Sequence, residues 1–249
     1  MRLTLLPALH LKAAYEYTAR LPEAEEIFGD GALLAANTGL RSERSHNANL
    51  GVELVDLDSA IGRLDASAQL FYRRTRDLIF LSQVLDSARY ENISDVDTQG
   101  VDLGVRWTGF SVLTLGASGT WLAAINRSDS GWFGRFEGDR IPNLPYLVGN
   151  LEAAVALPLP AARLERLRLY WYGRAVHGFY LFWESEGRKD GKLAVPDRFT
   201  QDVGVSLRSR GGRLTVTGEA RNVTDEAVFD NVGVQLPGRS LPVKLEVAL

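Results

Sequence analysis

Apolar residues recur at every second position along most of this chain, and that period limits what it can fold into more than any other feature. Leu9, Leu11, Ala13, Tyr15 and Tyr17 alternate with His10, Lys12, Ala14, Glu16 and Thr18. Ala48, Leu50, Val52 and Leu54 alternate with Asn47, Asn49, Gly51 and Glu53. The pattern returns in the stretches Leu64 to Tyr72, Val101 to Trp107, Leu113 to Trp121, Leu147 to Val155, Leu167 to Trp171, Val203 to Leu207 and Leu214 to Ala220. It appears once more in the closing stretch LPVKLEVAL, where Leu241, Val243, Leu245, Val247 and Leu249 share one face. A period of two sends successive side chains to opposite faces of an extended strand, whereas a helix would show a period near 3.6. The chain therefore reads as all-β, with about ten strands and no amphipathic helix.

The connections predict which kind of all-β fold. They alternate long and short: long over 21–45, 82–89, 126–144, 182–196 and 222–238, short over 56–62, 108–111, 158–163 and 209–212. Several strands exceed the ~5–6 residues usual in globular sheets and suit the ~9–11 needed to cross a bilayer at a tilt. Tight turns on one side and long loops on the other are the pattern of an antiparallel transmembrane barrel. Tyr15, Tyr17, Phe71, Tyr72, Phe80, Trp121, Phe199 and the run FYLFW (Phe179–Trp183) lie toward the long-loop ends, and Trp107 lies at a short turn. That distribution predicts two aromatic belts at headgroup level, the outer one denser. The apolar face is then expected to meet lipid. The other face, with Asp102, Arg106, Glu152, Arg166, Arg168, Arg174, Lys244 and Glu246, is too charged for a packed core and suits a hydrated lumen.

Composition is compatible with this without demanding it. The 249 residues are 45% hydrophobic and 24% charged with a formal net charge of −3, so no basic surplus points to nucleic acid. No cysteine is present, which removes disulfides, zinc thiolates and cysteine nucleophiles. No apolar run reaches the ~18 residues of a membrane helix. The opening MRLTLLPALHLK is interrupted by Pro7, His10 and Lys12 and reads as the start of a strand rather than a signal peptide.

Local motifs then become specific. ARNVTDEAVFDNVGVQLPGRSLPVKLEVAL (220–249) resembles the C-terminal signature of TonB-dependent outer-membrane receptors, through Asn222, Val223, Thr224, Asp225, Phe229, Pro237, Gly238 and Arg239. AAYEYTARLPEAEEIFGDG, RSERSHNANLGVEL, YENISDVDTQGVDLGVRW and RIPNLPYLVGNLEAAV are similar to further segments of that family, in the family's order and across almost the whole chain. The resemblance implies the bacterial outer membrane and energy-dependent uptake of a scarce, large nutrient such as a ferric siderophore or cobalamin. It also implies a barrel of roughly 22 strands closed by a plug. Residues 1–249 would be the C-terminal portion of that barrel, with the plug domain absent. Lipid and lipopolysaccharide, the nutrient ligand, the barrel-assembly machinery, and the TonB complex acting through the plug are the implied partners. The competing expectation is a self-contained ten-stranded outer-membrane barrel, an adhesin or surface protease.

No catalytic constellation, cofactor site or metal site emerges. The three histidines, His10, His46 and His177, lie far apart in sequence and suggest solvated positions rather than a ligand set. Asn222 and Asp225 are expected to bond neighbouring backbone, as Asn and Asp do in loops, and Gly238 to let the chain turn into the last strand. With Phe229, Pro237 and Arg239 they are assigned structural roles. Ligand contact is assigned to the loop SGWFGRFEGDR, where Trp132, Phe133 and Phe136 offer stacking faces and Arg135 and Arg140 offer bidentate contacts to anionic groups. The sequons at Asn92, Asn126 and Asn222 are taken as incidental.

Overall fold

The computed structural model describes residues 1–84, 87–159, 163–187, 192–231 and 234–248. Along the chain run β1 (Arg2–Leu6), β2 (Leu9–Arg20), the short helix α1 (Ala24–Phe28), β3 (Leu34–Ala35), β4 (Glu43–Ser59), β5 (Gly62–Val84) and β6 (Ser87–Gly109). Then follow β7 (Leu113–Asn126), a 3₁₀ turn (Phe133–Phe136), β8 (Leu147–Pro158), β9 (Leu164–Val176), β10 (Phe179–Tyr180), β11 (Ala194–Val195) and β12 (Arg198–Ser209). The chain ends in β13 (Leu214–Ala220), β14 (Phe229–Asn231), β15 (Val234–Gln235) and β16 (Val243–Val247). The main sheet follows the path β1-β2-β4-β5-β6-β7-β8-β9-β12-β13-β16, with β3 joining β6 at the side. Every neighbouring pair on that path is antiparallel.

Register shows why the alternation mattered. Leu50, Leu70, Val101, Trp121 and Leu147 stand opposite one another on consecutive strands. Lower down, Leu64, Trp107, Leu115, Ala153, Trp171, Val203 and Ala220 form a second such row. A slip of one residue along a whole strand would send its apolar set to the wrong face; the register irregularities on the path sit near the short-turn ends, between Thr4 and Leu6, Leu54 and Leu57, and Arg208 and Ser209. The resulting face leaves Leu50, Leu70, Leu103, Val105, Leu151, Leu169, Val205 and Leu245 exposed, which in water would be a large unfavourable patch and in a bilayer is the required surface. On β5 the apolar stretch from Leu64 to Tyr72 covers about 27 Å of strand, near 20 Å along the normal at a ~40° tilt, comparable to the ~25 Å apolar band of such barrels.

Short turns close one end. Gly211 and Gly212 take φ of 79° and 69° between β12 and β13, a left-handed pair that glycine adopts without Cβ strain. Between β6 and β7 the same role falls to Phe110 and Ser111 at φ 52° and 59°. There the exposed Phe110 ring meets Trp107 edge-on at 5.8 Å.

Four expectations need correction. The opening residues are not the start of one strand: Pro7 and Ala8 turn the chain, and β1 pairs back on β2 with Leu3 opposite Leu11, so an eleventh strand joins the ten. The long loop expected over 82–89 is instead the upper part of a hairpin, in which β5 and β6 stay paired up to Val84 and Ser87; residues 85 and 86 lie outside the described residues. Above the bilayer no lipid selects one apolar face, so alternation ceases to mark the strand. Phe179, Trp183 and Phe80 are not belt residues: Phe179 and Trp183 are buried, and Phe80 packs against the cluster around Trp183. Finally, a self-contained barrel would join its first and last strands, whereas among the described residues the path ends at β1 and β16 without closing.

The buried core is small and sits at the long-loop end. Ile93, Val96, Ala124, Phe133, Phe136, Ile141 and Trp183 form one cluster, backed by Leu78, Phe80 and Leu122. Val176, Phe179 and Val195, with Val148 and Leu181, form another. Val96, Leu122, Ala124, Val148 and Val176 share the polar, inward side of the sheet, so these loops fold over its upper inner wall.

Candidate functional site

The inner wall is a ladder of paired charges. The Arg106 guanidinium reaches one oxygen of Glu152 at 2.6 Å, and Arg168 donates to the other at 3.4 Å. Arg168 also donates to the Tyr172 hydroxyl at 3.0 Å, and the Thr120 hydroxyl donates to Asp102 at 2.6 Å. These groups come from adjacent strands because register sets their rows side by side. Arg106, Glu152 and Tyr172 line a concavity of about 590 Å³ together with Glu53, Asp65 and Asn150.

At the mouth, one side chain organises the loop after β7. Asn126 is fully buried. Its Nδ2 donates to the carbonyls of Phe133 and Phe136 at 2.7 and 3.0 Å, and its Oδ1 accepts from the Ser128 amide at 3.0 Å. Those bonds shape the 3₁₀ turn and aim Phe133 and Phe136 at Trp183, whose ring stacks on Phe136 at 4.8 Å with 4° between planes. Asp139 then ties this loop to the next by accepting from the Ser185 amide and hydroxyl at 2.8 and 2.6 Å.

The five residues assigned to ligand contact are therefore divided. Phe133 and Phe136 are buried in the loop core. Trp132 stands on the other side of the same turn, 52% exposed, with the Arg135 guanidinium 4.6 Å from its ring. Arg140 lies over Tyr146 at 4.1 Å on the rim of a cavity of about 460 Å³. That cavity is also lined by Leu144, His177, Phe182 and Asp197. His177 is 3.0 Å from Asp197 and touches the Tyr146 hydroxyl at 3.1 Å, and Asp197 also accepts from the Gly178 amide at 2.5 Å. Sequence reasoning missed Asn126, Tyr146, His177, Trp183 and Asp197 as partners. Their pairings join segments distant in the chain, and only the aromatic density of FYLFW pointed toward them.

The C-terminal motif residues form a knot beside the last strands. Asn222 is buried at φ 48° and exchanges two hydrogen bonds with the backbone of Glu226, at 2.8 and 2.9 Å. Asp225, at φ 58°, accepts from the Arg239 amide at 2.8 Å. A Cβ on Gly238 would stand 2.7 Å from that same carboxylate, so close approach to the Asp225 side chain, rather than a left-handed turn, favours glycine there. Phe229 pairs with Gln235, and Pro237 is an exposed residue leading into Gly238. The side-chain amides of all three sequon asparagines are engaged with backbone carbonyls: Asn92 with Arg41 and Asp77, Asn126 and Asn222 as above. Among the described residues no three His, Cys, Asp or Glu side chains gather as a metal site.

The family profile described as TonB dependent receptor-like, beta-barrel, matches residues 2–223. Among solved structures, the copper transporter OprC is similar over all of this chain and 38% of its own, with a TM-score of 0.75 at 17% identity. A ferric enterobactin receptor (PfeA) mutant from Pseudomonas aeruginosa is similar over 98% of this chain and 38% of its own, with a TM-score of 0.71 at 15% identity. The siderophore receptor PirA from Acinetobacter baumannii gives a TM-score of 0.69 at 15% identity, over 98% of this chain and 39% of its own. No curated protein matches the sequence. The chain thus spans well under half the length of these structures, and identities this low speak for the fold alone. With a lipid-facing sheet, a charged inner wall and a profile match over most of its length, the chain belongs to the TonB-dependent receptor β-barrels, which are outer-membrane proteins of Gram-negative bacteria.

Proposed function

We propose that residues 1–249 are the C-terminal part of the barrel of an uptake receptor. Its assembled form would carry a scarce, bulky ligand of the ferric-siderophore, cobalamin or metal-complex kind across the outer membrane. The observation that carries this reading is the loop layer folded over the inner wall, held by the Phe136–Trp183 stack and the Asp139–Ser185 bonds. A pore for small solutes needs no such buried layer at its mouth; a receptor that must hold a large ligand before moving it does. The paired charges around Glu152 give a hydrated wall against which a plug would slide, and coupling to TonB would reach the ligand through that plug. The copper, enterobactin and siderophore proteins of similar fold favour a metal-bearing cargo. Trp132, Arg135 and Arg140 are the proposed contacts, with Phe133 and Phe136 supporting them from beneath.

The test uses the assembled receptor containing this chain, with ligand uptake and heat-modifiable migration measured together. Arg135→Ala with Arg140→Ala should lower uptake of the ligand about tenfold while the barrel still shifts on heating. Unchanged uptake would remove the ligand role from these residues, and an assembled receptor that takes up no metal complex would sink the function.

A further inference from the structure

The lipid-facing side carries a second feature at its upper edge. On β4 and β5 the outward residues above the apolar band are His46 and Arg44, and Tyr72, Arg74 and Arg76. Arg44 and Arg76 are direct cross-strand partners, so their Cβ atoms stand about 5 Å apart. Both are exposed, while the alternate residues Ser45 and Thr75 are buried on the inner side and bonded to each other at 3.3 Å. Two like charges in that position oppose pairing of the strands, and a nearby carboxylate would ordinarily relieve them.

None does. Asp95 stands opposite Arg76 in register but is held in a fork by Arg74, at 3.2 and 2.7 Å. Asp97 accepts from the Tyr72 hydroxyl at 2.8 Å and pairs with Arg127 at 3.4 Å. Glu43 faces inward, toward Arg20. Among the described residues, the Arg44 and Arg76 side chains have no hydrogen bond or ion pair of their own. Four arginines thus share two carboxylates on this patch, and the surplus falls on the one pair that faces outward together.

Position selects the occupant. Tyr15, Tyr17 and Tyr72 are exposed on the same face directly below, and the Tyr15 hydroxyl bonds His46 at 2.7 Å. Each step of two residues up the strand gains about 5 Å along the membrane normal at a ~40° tilt. The arginine pair therefore lies about 10 Å above Tyr15 and Tyr72, in the headgroup layer outside the apolar core. We propose that Arg44 and Arg76 form a clamp for the phosphate of an anionic glycolipid of the outer leaflet, whose acyl chains lie on the apolar band below. A guanidinium pair offers several N–H donors in planar forks that match phosphate oxygens, and continuity with the lipid-facing surface excludes a ligand arriving through the mouth.

The assembled receptor containing this chain, in detergent micelles, can be titrated with diphosphoryl lipid A, its dephosphorylated counterpart, and inorganic phosphate. Diphosphoryl lipid A should bind in a salt-sensitive manner. Arg44→Gln with Arg76→Gln should weaken that binding about tenfold, Arg44→Lys with Arg76→Lys should retain a larger part of it, and Arg63→Gln at the opposite, short-turn end should leave it unchanged. Equal binding by the dephosphorylated lipid, full displacement by millimolar inorganic phosphate, or an unaffected double glutamine variant would each overturn the clamp. Ligand uptake does not enter this measurement, so its outcome is separate from that of the receptor reading.

Discussion

Single side chains hold the loops of this protein more than any extended core does. Asn126 replaces three hydrogen bonds that water would otherwise make to the Phe133 and Phe136 carbonyls and the Ser128 amide, and it does so in full burial. Asn126→Ala leaves those groups unsatisfied, at a cost of about 2–3 kcal/mol. The expected readout is rapid proteolytic cleavage within 127–146 while the transmembrane strands stay protected. Gly238 makes a different prediction. Its missing Cβ leaves room for the Asp225 carboxylate that accepts the Arg239 amide, so Gly238→Ala should destabilise the last strand by about 1–2 kcal/mol. In an Asp225→Ala background the same change should cost much less, a coupling that a double-mutant cycle reads directly. Purely additive losses would show that the close approach is not what favours glycine.

At the scale of elements, the strands crossing the membrane were legible and the structures above them were not. Lipid on one side and water on the other impose alternation, so Leu64 to Tyr72 or Val101 to Trp107 announce their faces residue by residue. β1 escaped because its turn, Pro7–Ala8, interrupts an apolar run too short to show a period. The upper hairpin of β5 and β6 escaped because Leu78 and Phe80 pack on loop aromatics, which breaks the two-sided contrast. The site was half legible: aromatic and arginine density marked the loop after β7, but the partner that buries Phe133 and Phe136 comes from a loop some fifty residues further along. The loop between β2 and β4 has its own anchor. Asp30 accepts from the amides of Ala32, Leu33 and Leu34 at 2.8, 2.9 and 2.8 Å, and these bonds, the Leu34 amide foremost, lower its carboxyl pKa below the ordinary 3.8. A depressed folded pKa means the stabilisation is complete above 3.8 and is lost as pH falls through the lower folded value. Amide exchange over 30–35 should therefore stay slow on acidification to about pH 4 and accelerate only below it, whereas in Asp30→Ala it should be fast throughout.

For the whole molecule, stability is divided by face. Leu103 stands in mid-strand on the lipid side, 56% exposed, while Gln69 faces inward and meets Asn49 at 3.4 Å. In the assembled barrel in lipid, Leu103→Arg should cost about 2–4 kcal/mol and Gln69→Lys close to nothing. Urea midpoints of the two variants check the difference, and equal losses would mean that the assignment of faces is wrong. The path of the sheet carries a further consequence. Counted along that path, β1 and β16 are separated by an even number of antiparallel steps, so both edge strands point the same way across the membrane, from the long-loop side toward the short-turn side. Two copies of this sheet placed edge to edge would bring strands together in parallel, against the pattern of every other pair. Whatever closes it in the antiparallel manner must present two edges pointing outward, and so must bring an odd number of strands; handedness of direction alone makes this sheet a complement to something unlike itself.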